Sequence, residues 1–345
     1  MEGRLVQGRA QRRAAGGGIP IPKRLGELDV TLRRRATFAV VALVAWVAGS
    51  ALGAVGSMTP ASAQAGVVIG KAHAGYAPSL TGSTPIVILV VGSGARLGED
   101  VTHSLADSIH VVSINPAKHK ATIIGIPRDS WVDIPGHGSS KINASMVDGG
   151  PDLLIQTVES ISGLTIDYYA LTTFWGMSQI YDNLGGLTMD VPFSMHDSYS
   201  GADFEPGVQT LDGKQVLAFS RDRHSLSGGD FSRTENGGRV LIASLAQFRK
   251  EFQGDQSELF TWIASGMRNV QTTVPFDEIM QLAYTCSHII SKNVTNIALP
   301  GSTGFEGTLS VVHLSSEKDA IFADLKPDGI VSKKNIPPSP TANQA

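Results

Sequence analysis

A single cysteine, Cys286, stands in 345 residues, so no disulfide can form within the chain and any folded domain must rely on its core. Cys286 lies in the apolar stretch 279–290 and reads as a small buried hydrophobe. The nine histidines show no paired ligand spacing, which argues against a zinc centre. There is no Walker order of Gly-Lys-Ser/Thr, no Gly-x-Ser-x-Gly elbow, no kinase motif set and no paired-cysteine metal signature. No internal repeat is visible.

Charge is missing altogether from Ala36 to Met58, a run of 23 residues that is long enough to span a bilayer. Arg33, Arg34 and Arg35 stand immediately before it, which places the N-terminus in the cytoplasm and the chain after about Thr59 outside. A cleaved signal peptide is the alternative, because Ala61-Ser62-Ala63 and Ala63-Gln64-Ala65 resemble cleavage sites, but the apolar run is long for a signal sequence. The net charge of −3 hides an asymmetry: nine basic against three acidic residues give +6 over 1–35, leaving −9 for the rest. A mildly acidic main domain argues against nucleic acid as a partner.

The expected organisation is a disordered cytoplasmic tail over 1–35, a transmembrane anchor over 36–58, an extracytoplasmic linker over 59–84, one folded domain over 85–332 and a disordered tail over 333–345. Ile86 to Val91 reads as a strand buried on both faces, ending in Gly92-Ser93-Gly94. Asp107–Asn115 and Ala121–Ile126 read as a hairpin around Asn115-Pro116. Helices are expected over 151–162, 174–184, 234–252, 257–269 and 276–291, with strands at 187–191 and 293–299. Strands mixed with helices indicate an α/β domain, a mixed central sheet with helices on both faces.

Ser220-Arg221-Asp222-Arg223-His224 and Asp230-Phe231-Ser232-Arg233 place three arginines and two carboxylates among small residues. In extended backbone Arg221 and Arg223 point the same way, and two guanidinium forks suit a pyrophosphate. Arg128 and Asp129 follow a strand at Ile126-Pro127, the end of a sheet where ligand sites gather; a solvated Arg–Asp pair is the competing explanation. The Gly136–Ser140 loop with Lys141 and Asn143 could bring backbone N–H groups and a point charge to phosphate, or be an ordinary surface loop. Asp107 opens a strand and could hold Mg²⁺ with substrate phosphates, or simply be solvated.

Together these pieces resemble the LytR-CpsA-Psr family of bacterial cell-envelope proteins, in an actinobacterial-like subgroup. The resemblance runs through DSIHVVSINP (107–116), IPRDSWVDIPGHGSSKINAS (126–145), GGPDLLIQTVESISGLTIDYY (149–169), DNLGGLTMDVP (182–192) and SRDRHSLSGGDFSRTENGGRVL (220–241). It implies a single-pass membrane phosphotransferase in cell wall biogenesis. Such an enzyme joins a glycopolymer from a polyprenyl-pyrophosphate carrier to peptidoglycan through a phosphodiester, with Mg²⁺ and with pyrophosphatase side activity. It also implies that Arg128, Arg221, Arg223 and Arg233 hold the pyrophosphate, with Arg96, Lys141 and Asn143 as further contacts. Asp230 would orient arginines, Asp107 would bind the metal, and Asp129 or Asp222 would take the acceptor proton. Three positions depart from the pattern: Gly94 where an Asp is common, Leu105 where an Arg is, and Gly237 where a Gln is. The loss at position 94 weakens the expected Mg²⁺ site. A non-catalytic scaffold for polyprenyl phosphates is the alternative, and a transcriptional attenuator is opposed by the topology.

Overall fold

The computed structural model describes residues 66–75, 78–254 and 270–342. The chain divides into two units, 1–58 and 59–345. The expected cytoplasmic tail and anchor, and the helix expected over 257–269, lie outside the described residues. Among the described residues no helix is long and apolar enough to cross a membrane.

In chain order the second unit begins with β1 (Val67–Lys71), β2 (Ile86–Ser93), β3 (Ala106–Asn115) and β4 (Lys120–Ile126). A hairpin of β5 (Trp131–Ile134) and β6 (Gly138–Lys141) leads to α1 (Ser145–Ser162) and β7 (Tyr168–Thr173). Next come α2 (Phe174–Asn183), β8 (Leu187–Val191), β9 (Met195–Asp197), β10 (Ala202–Phe204) and β11 (Gly207–Leu211). They are followed by α3 (Gly213–Arg221), α4 (Asp230–Gly254), β12 (Val270–Thr272), α5 (Phe276–Ser287) and β13 (Val294–Ala298). The hairpin of β14 (Gly301–Glu306) and β15 (Leu309–Leu314) and then α6 (Glu317–Leu325) complete the order.

The main sheet runs β12-β1-β7-β2-β3-β4-β13. The β2–β7, β1–β12 and β4–β13 pairs are parallel and the remainder antiparallel, so the sheet is mixed. Alternation along the strands feeds two cores. Leu89, Val91 and Val111 pack with Leu154 and Val158 of α1 and with Phe322 of α6. Ile88 and Val112, one residue along, face Leu245 of α4 and Leu282 of α5. A third core joins β8–β11 to α2, α3 and α4 through Leu187, Phe204, Phe219 and Val240. Local signals set the ends: Thr173 accepts from Gly176 N–H at 2.9 Å to start α2, and Asp212 with Gln215 forms a capping box on α3. α1 ends at Gly163, in the left-handed conformation at φ 65°.

Two boundaries need correction. The segment expected as a linker contains β1, which pairs with β7 and β12 inside the main sheet. The tail expected to be disordered is packed: Thr341 is 1% exposed, and Ser339 and Thr341 donate to Glu235 of α4 at 2.8 to 2.9 Å. Small and polar residues with several prolines gave the appearance of a loop in both cases. Tertiary pairing overrides that composition.

Candidate functional site

A cavity of about 630 Å³ opens between the main sheet and helices α2, α3 and α4. Its lining is mostly apolar, with Val90 and Leu171 from the sheet and Phe174, Ile180, Leu217 and Leu241 from the helices. Arg128, Arg221, Arg223 and Arg233 line the same cavity, together with Asp107. On α4 the apolar residues Val240 and Leu241 line it. The apolar stripe of α1, 153–161, belongs instead to the core on the other face of the sheet.

Each arginine is placed by a different element. β4 ends at Ile126 and Pro127 cannot extend the ladder, so Arg128 leaves at the sheet end. Its Nη1 donates to Asp107 at the start of β3, and its Nε stands 3.8 Å from Asp129 Oδ2. Burial disfavours the Arg128 charge, but the ion pair with Asp107 outweighs it and raises the pKa. Nε is buried with no hydrogen-bond partner, a donor that an arriving anion would satisfy. Arg233 lies one turn into α4, 2.8 Å from Asp230 at the helix start. Burial pushes the Arg233 pKa down and the Asp230 pKa up, with each partner opposing the other's shift. Arg221 is the last residue of α3, and its guanidinium lies 4.8 Å from the ring centroid of Phe174. It is therefore helical, not in the extended backbone expected from the sequence. Arg223 still lines the same cavity because Asp222 between them is extended.

Other candidates are placed away from the cavity. Asp222 is completely buried, absent from the cavity wall, and its carboxylate accepts from Ser225 N–H at 3.2 Å and from Ser225 Oγ. That corrects its reading as a proton acceptor, because no acceptor hydroxyl can reach it. Asp129 is paired with Lys141 at 2.9 Å. Gly136 and Gly138, at φ +77° and +74°, form the tight turn of the exposed β5–β6 hairpin, and this loop does not line the cavity. Asn143 is 5% exposed and donates its backbone N–H to the Arg128 carbonyl at 3.2 Å, bracing the arginine's backbone. Arg96 is exposed in a turn closed by its own N–H to Glu99 at 2.8 Å.

The expected Mg²⁺ ligand does not fit a cation held by protein groups. Asp107 already serves Arg128, and a Cβ at Gly94 would lie 2.8 Å from Asp107 Oδ2, so the partner carboxylate missing at 94 would have stood there. Asp100, a possible substitute, accepts from Thr102 at 2.8 Å within its own turn, and Glu99 closes the Arg96 turn. Among the described residues no cluster of three or more metal-ligating side chains occurs.

Several cavity residues escaped the sequence reading. Phe174 under Arg221 gave no motif. Ser108 and His110 have the i, i+2 spacing of one strand face, a pattern too common in strands to mark a site on its own. Asp197 is 3% exposed, 3.0 Å from His224 Nδ1, and the Tyr199 ring leans against the same imidazole at 42°, centroids 4.8 Å apart.

The sequence model of the LytR_cpsA_psr family matches residues 59–326. TagU of Oceanobacillus iheyensis, a polyisoprenyl-teichoic acid–peptidoglycan teichoic acid transferase, is 34% identical over 223 residues. That match covers 62% of this chain and 66% of TagU. The probable cell wall biosynthesis protein LcpB of Corynebacterium glutamicum is 38% identical over 152 residues, covering 41% of this chain and 36% of LcpB. The chain thus spans less than two thirds of the length of either relative. The crystal structure of Bacillus subtilis TagV superposes with a TM-score of 0.62 at 25% identity, covering 73% of this chain and all of that one.

Proposed function

Because this chain belongs to the LytR-CpsA-Psr family, we propose that it transfers a glycopolymer from a polyprenyl-pyrophosphate carrier to peptidoglycan, forming a phosphodiester and releasing the lipid phosphate. The observation that carries this reading is an apolar cavity whose lining includes four arginines. An isoprenoid chain gains roughly 0.8 kcal/mol per buried methylene in such a cavity. Arg128, Arg221, Arg223 and Arg233 neutralise the pyrophosphate and the charge that develops in transfer. Phosphoryl transfer asks for positioning and charge stabilisation more than for covalent chemistry. Asp230 and Asp107 hold two of the arginines in place. Lys141 holds Asp129 beside Arg128. Arg96, read as a further pyrophosphate contact, is exposed and outside the cavity lining, so it takes no part in this reading. A bound Mg²⁺ would supply further charge neutralisation at the phosphates. In this reading residues 36–58 anchor the protein in the cytoplasmic membrane, the domain stands outside, and water replaces the acceptor in a pyrophosphatase side reaction.

The test is phosphate release from geranylgeranyl pyrophosphate by the full chain in detergent. Release reduced about a hundredfold in Arg128→Ala and Arg221→Ala supports the reading. Release that survives both substitutions places the chemistry elsewhere. A second reading, a scaffold that binds polyprenyl phosphates without turnover, is favoured by Gly94 beside Asp107. Lipid binding that depends on Arg128, with no release of phosphate, selects it.

A further inference from the structure

Transfer to a hydroxyl needs a group that takes the acceptor's proton, and neither aspartate read from the sequence is free at the cavity wall. Asp222 is sealed against Ser225, and Asp129 is tied to Lys141. The cavity wall does hold Ser108 and His110, two residues apart on β3 and therefore on one face. Ser108 Oγ lies 3.1 Å from His110 Nδ1, and His110 Nε2 lies 2.9 Å from the carbonyl oxygen of Thr234 on α4. A carbonyl can only accept, so Nε2 carries the hydrogen and the Nδ1 lone pair is left for the Ser108 hydroxyl. Hydroxyl, imidazole and an orienting acceptor stand in line, the arrangement by which a weak hydroxyl is activated.

The fold makes room for this ring. His110 is 3% exposed. A Cβ on Gly237 would fall 2.5 Å from its Cε1, and one on Gly125 would fall 3.2 Å from its Nε2. The departure at Gly237 is thereby explained: a glutamine side chain there would displace the imidazole. Charged groups around the ring favour its neutral form. Burial lowers the His110 pKa below its ordinary 6.5, and Arg233 on α4 adds to the effect. Asp107 and Arg128 neutralise each other, and Asp230 is engaged with Arg233. The strands on either side pair with His110 through Val90 and Gly125, neither of them titratable.

Building on the transferase reading above, we propose that Ser108 and His110 are the proton-accepting pair of this site. The acceptor hydroxyl passes its proton to Ser108 Oγ while the Ser108 proton moves to His110 Nδ1. The acceptor oxygen forms its bond to the glycosyl-bearing phosphorus. The bridging P–O bond breaks, and its electron pair leaves on the lipid phosphate, which collects the proton from the imidazolium. Ser108 touches the reacting hydroxyl, and His110 acts through it.

The test uses the full chain in detergent with geranylgeranyl pyrophosphate as donor probe and water as acceptor, alongside labelling by a fluorophosphonate, which reports an activated serine without needing turnover. Ser108→Ala, a partly exposed change that removes one hydroxyl, is expected to lower kcat about a hundredfold with KM within about twofold. His110→Gln is expected to do the same and to abolish the fall in kcat/KM that the unsubstituted protein shows as pH drops below the ordinary histidine range. The fluorophosphonate is expected on Ser108 in the unsubstituted protein and in Arg128→Ala, but not in His110→Gln. Full kcat in Ser108→Ala, or turnover without any label on Ser108, overturns the pair. A protein that is labelled at Ser108 yet releases no phosphate keeps the pair and sinks the transferase reading instead.

Discussion

Single residues carry most of the charge logic of this protein. Burial alone would raise the Asp197 pKa, but the hydrogen bond from His224 and the N–H groups of Tyr199 and Arg223 outweigh it and hold the carboxyl below its ordinary 3.8. A carboxylate with a depressed folded pKa stabilises at neutral pH, and that contribution disappears as pH falls through and below the ordinary carboxylate range. Asp197→Asn is therefore expected to cost about 2 kcal/mol at pH 7. Chemical denaturation should show the gap to the unsubstituted protein closing toward pH 2. A gap that stays constant with pH would mean that the β9 turn, not the charge, is responsible. Gly94 gives a second residue-scale prediction. Gly94→Asp places a second carboxylate against Asp107 and competes with Asp107 for Arg128. Titration calorimetry in the presence of geranylgeranyl pyrophosphate should find Mg²⁺ binding at least tenfold tighter in the variant, because two carboxylates with substrate phosphates make an ordinary Mg²⁺ site. Equal affinity would mean that Asp107 and the phosphates already suffice. Sequence made the arginines legible, since guanidinium forks near glycines and carboxylates have few other uses. It did not make the Asp222 turn or the Ser108–His110 pair legible. Which partner a side chain chooses is a tertiary fact.

Elements with strong periodicity were readable and weakly patterned ones were not. The strand expected at 187–191 has the bounds of β8, and the helix expected over 174–184 is α2 with one residue fewer. Apolar and polar residues alternate along β8, and Gly185-Gly186 separate it from α2, so both boundaries are marked locally. β1 is hard to read because Val67–Lys71 is short, with Gly66 before it and Gly70 within it, and it is held by pairing with β7, about 100 residues away in sequence. α3 went unread because its stripe is brief, though Asp212 and Gln215 in a capping box were an available signal. A chain truncated to 85–332 tests what these elements contribute. It lacks β1, so β7 presents an unpaired edge, and it lacks the segment whose Ser339 and Thr341 satisfy Glu235. The expected outcome is a lower thermal midpoint and concentration-dependent association in light scattering, relative to a chain of 66–342. Equal melting and no association would show that β1 and the C-terminal segment merely decorate the domain.

At the scale of the whole molecule, the proposed lipid site and the charge distribution both bear on where the protein acts. A site that accepts an isoprenoid tail needs the tail delivered from a bilayer, and a free domain would have to extract it at the full hydrophobic cost of roughly 0.8 kcal/mol per methylene. In the proposed reading, the 23 uncharged residues over 36–58, preceded by three arginines, would supply a tether that removes that search. The net −9 of the remaining chain disfavours non-specific clinging to anionic headgroups, so membrane attachment in this reading would rest on 36–58. The expected outcome is that the full chain stays in the membrane fraction after an alkaline carbonate wash, and that a periplasm-active reporter fused after Ala345 is active. Replacing Arg33, Arg34 and Arg35 by glutamate weakens the orientation signal and should lower reporter activity several-fold. Release into the soluble fraction with an active reporter would identify 36–58 as a cleaved signal. The cavity would then have to take its lipid from a protein carrier.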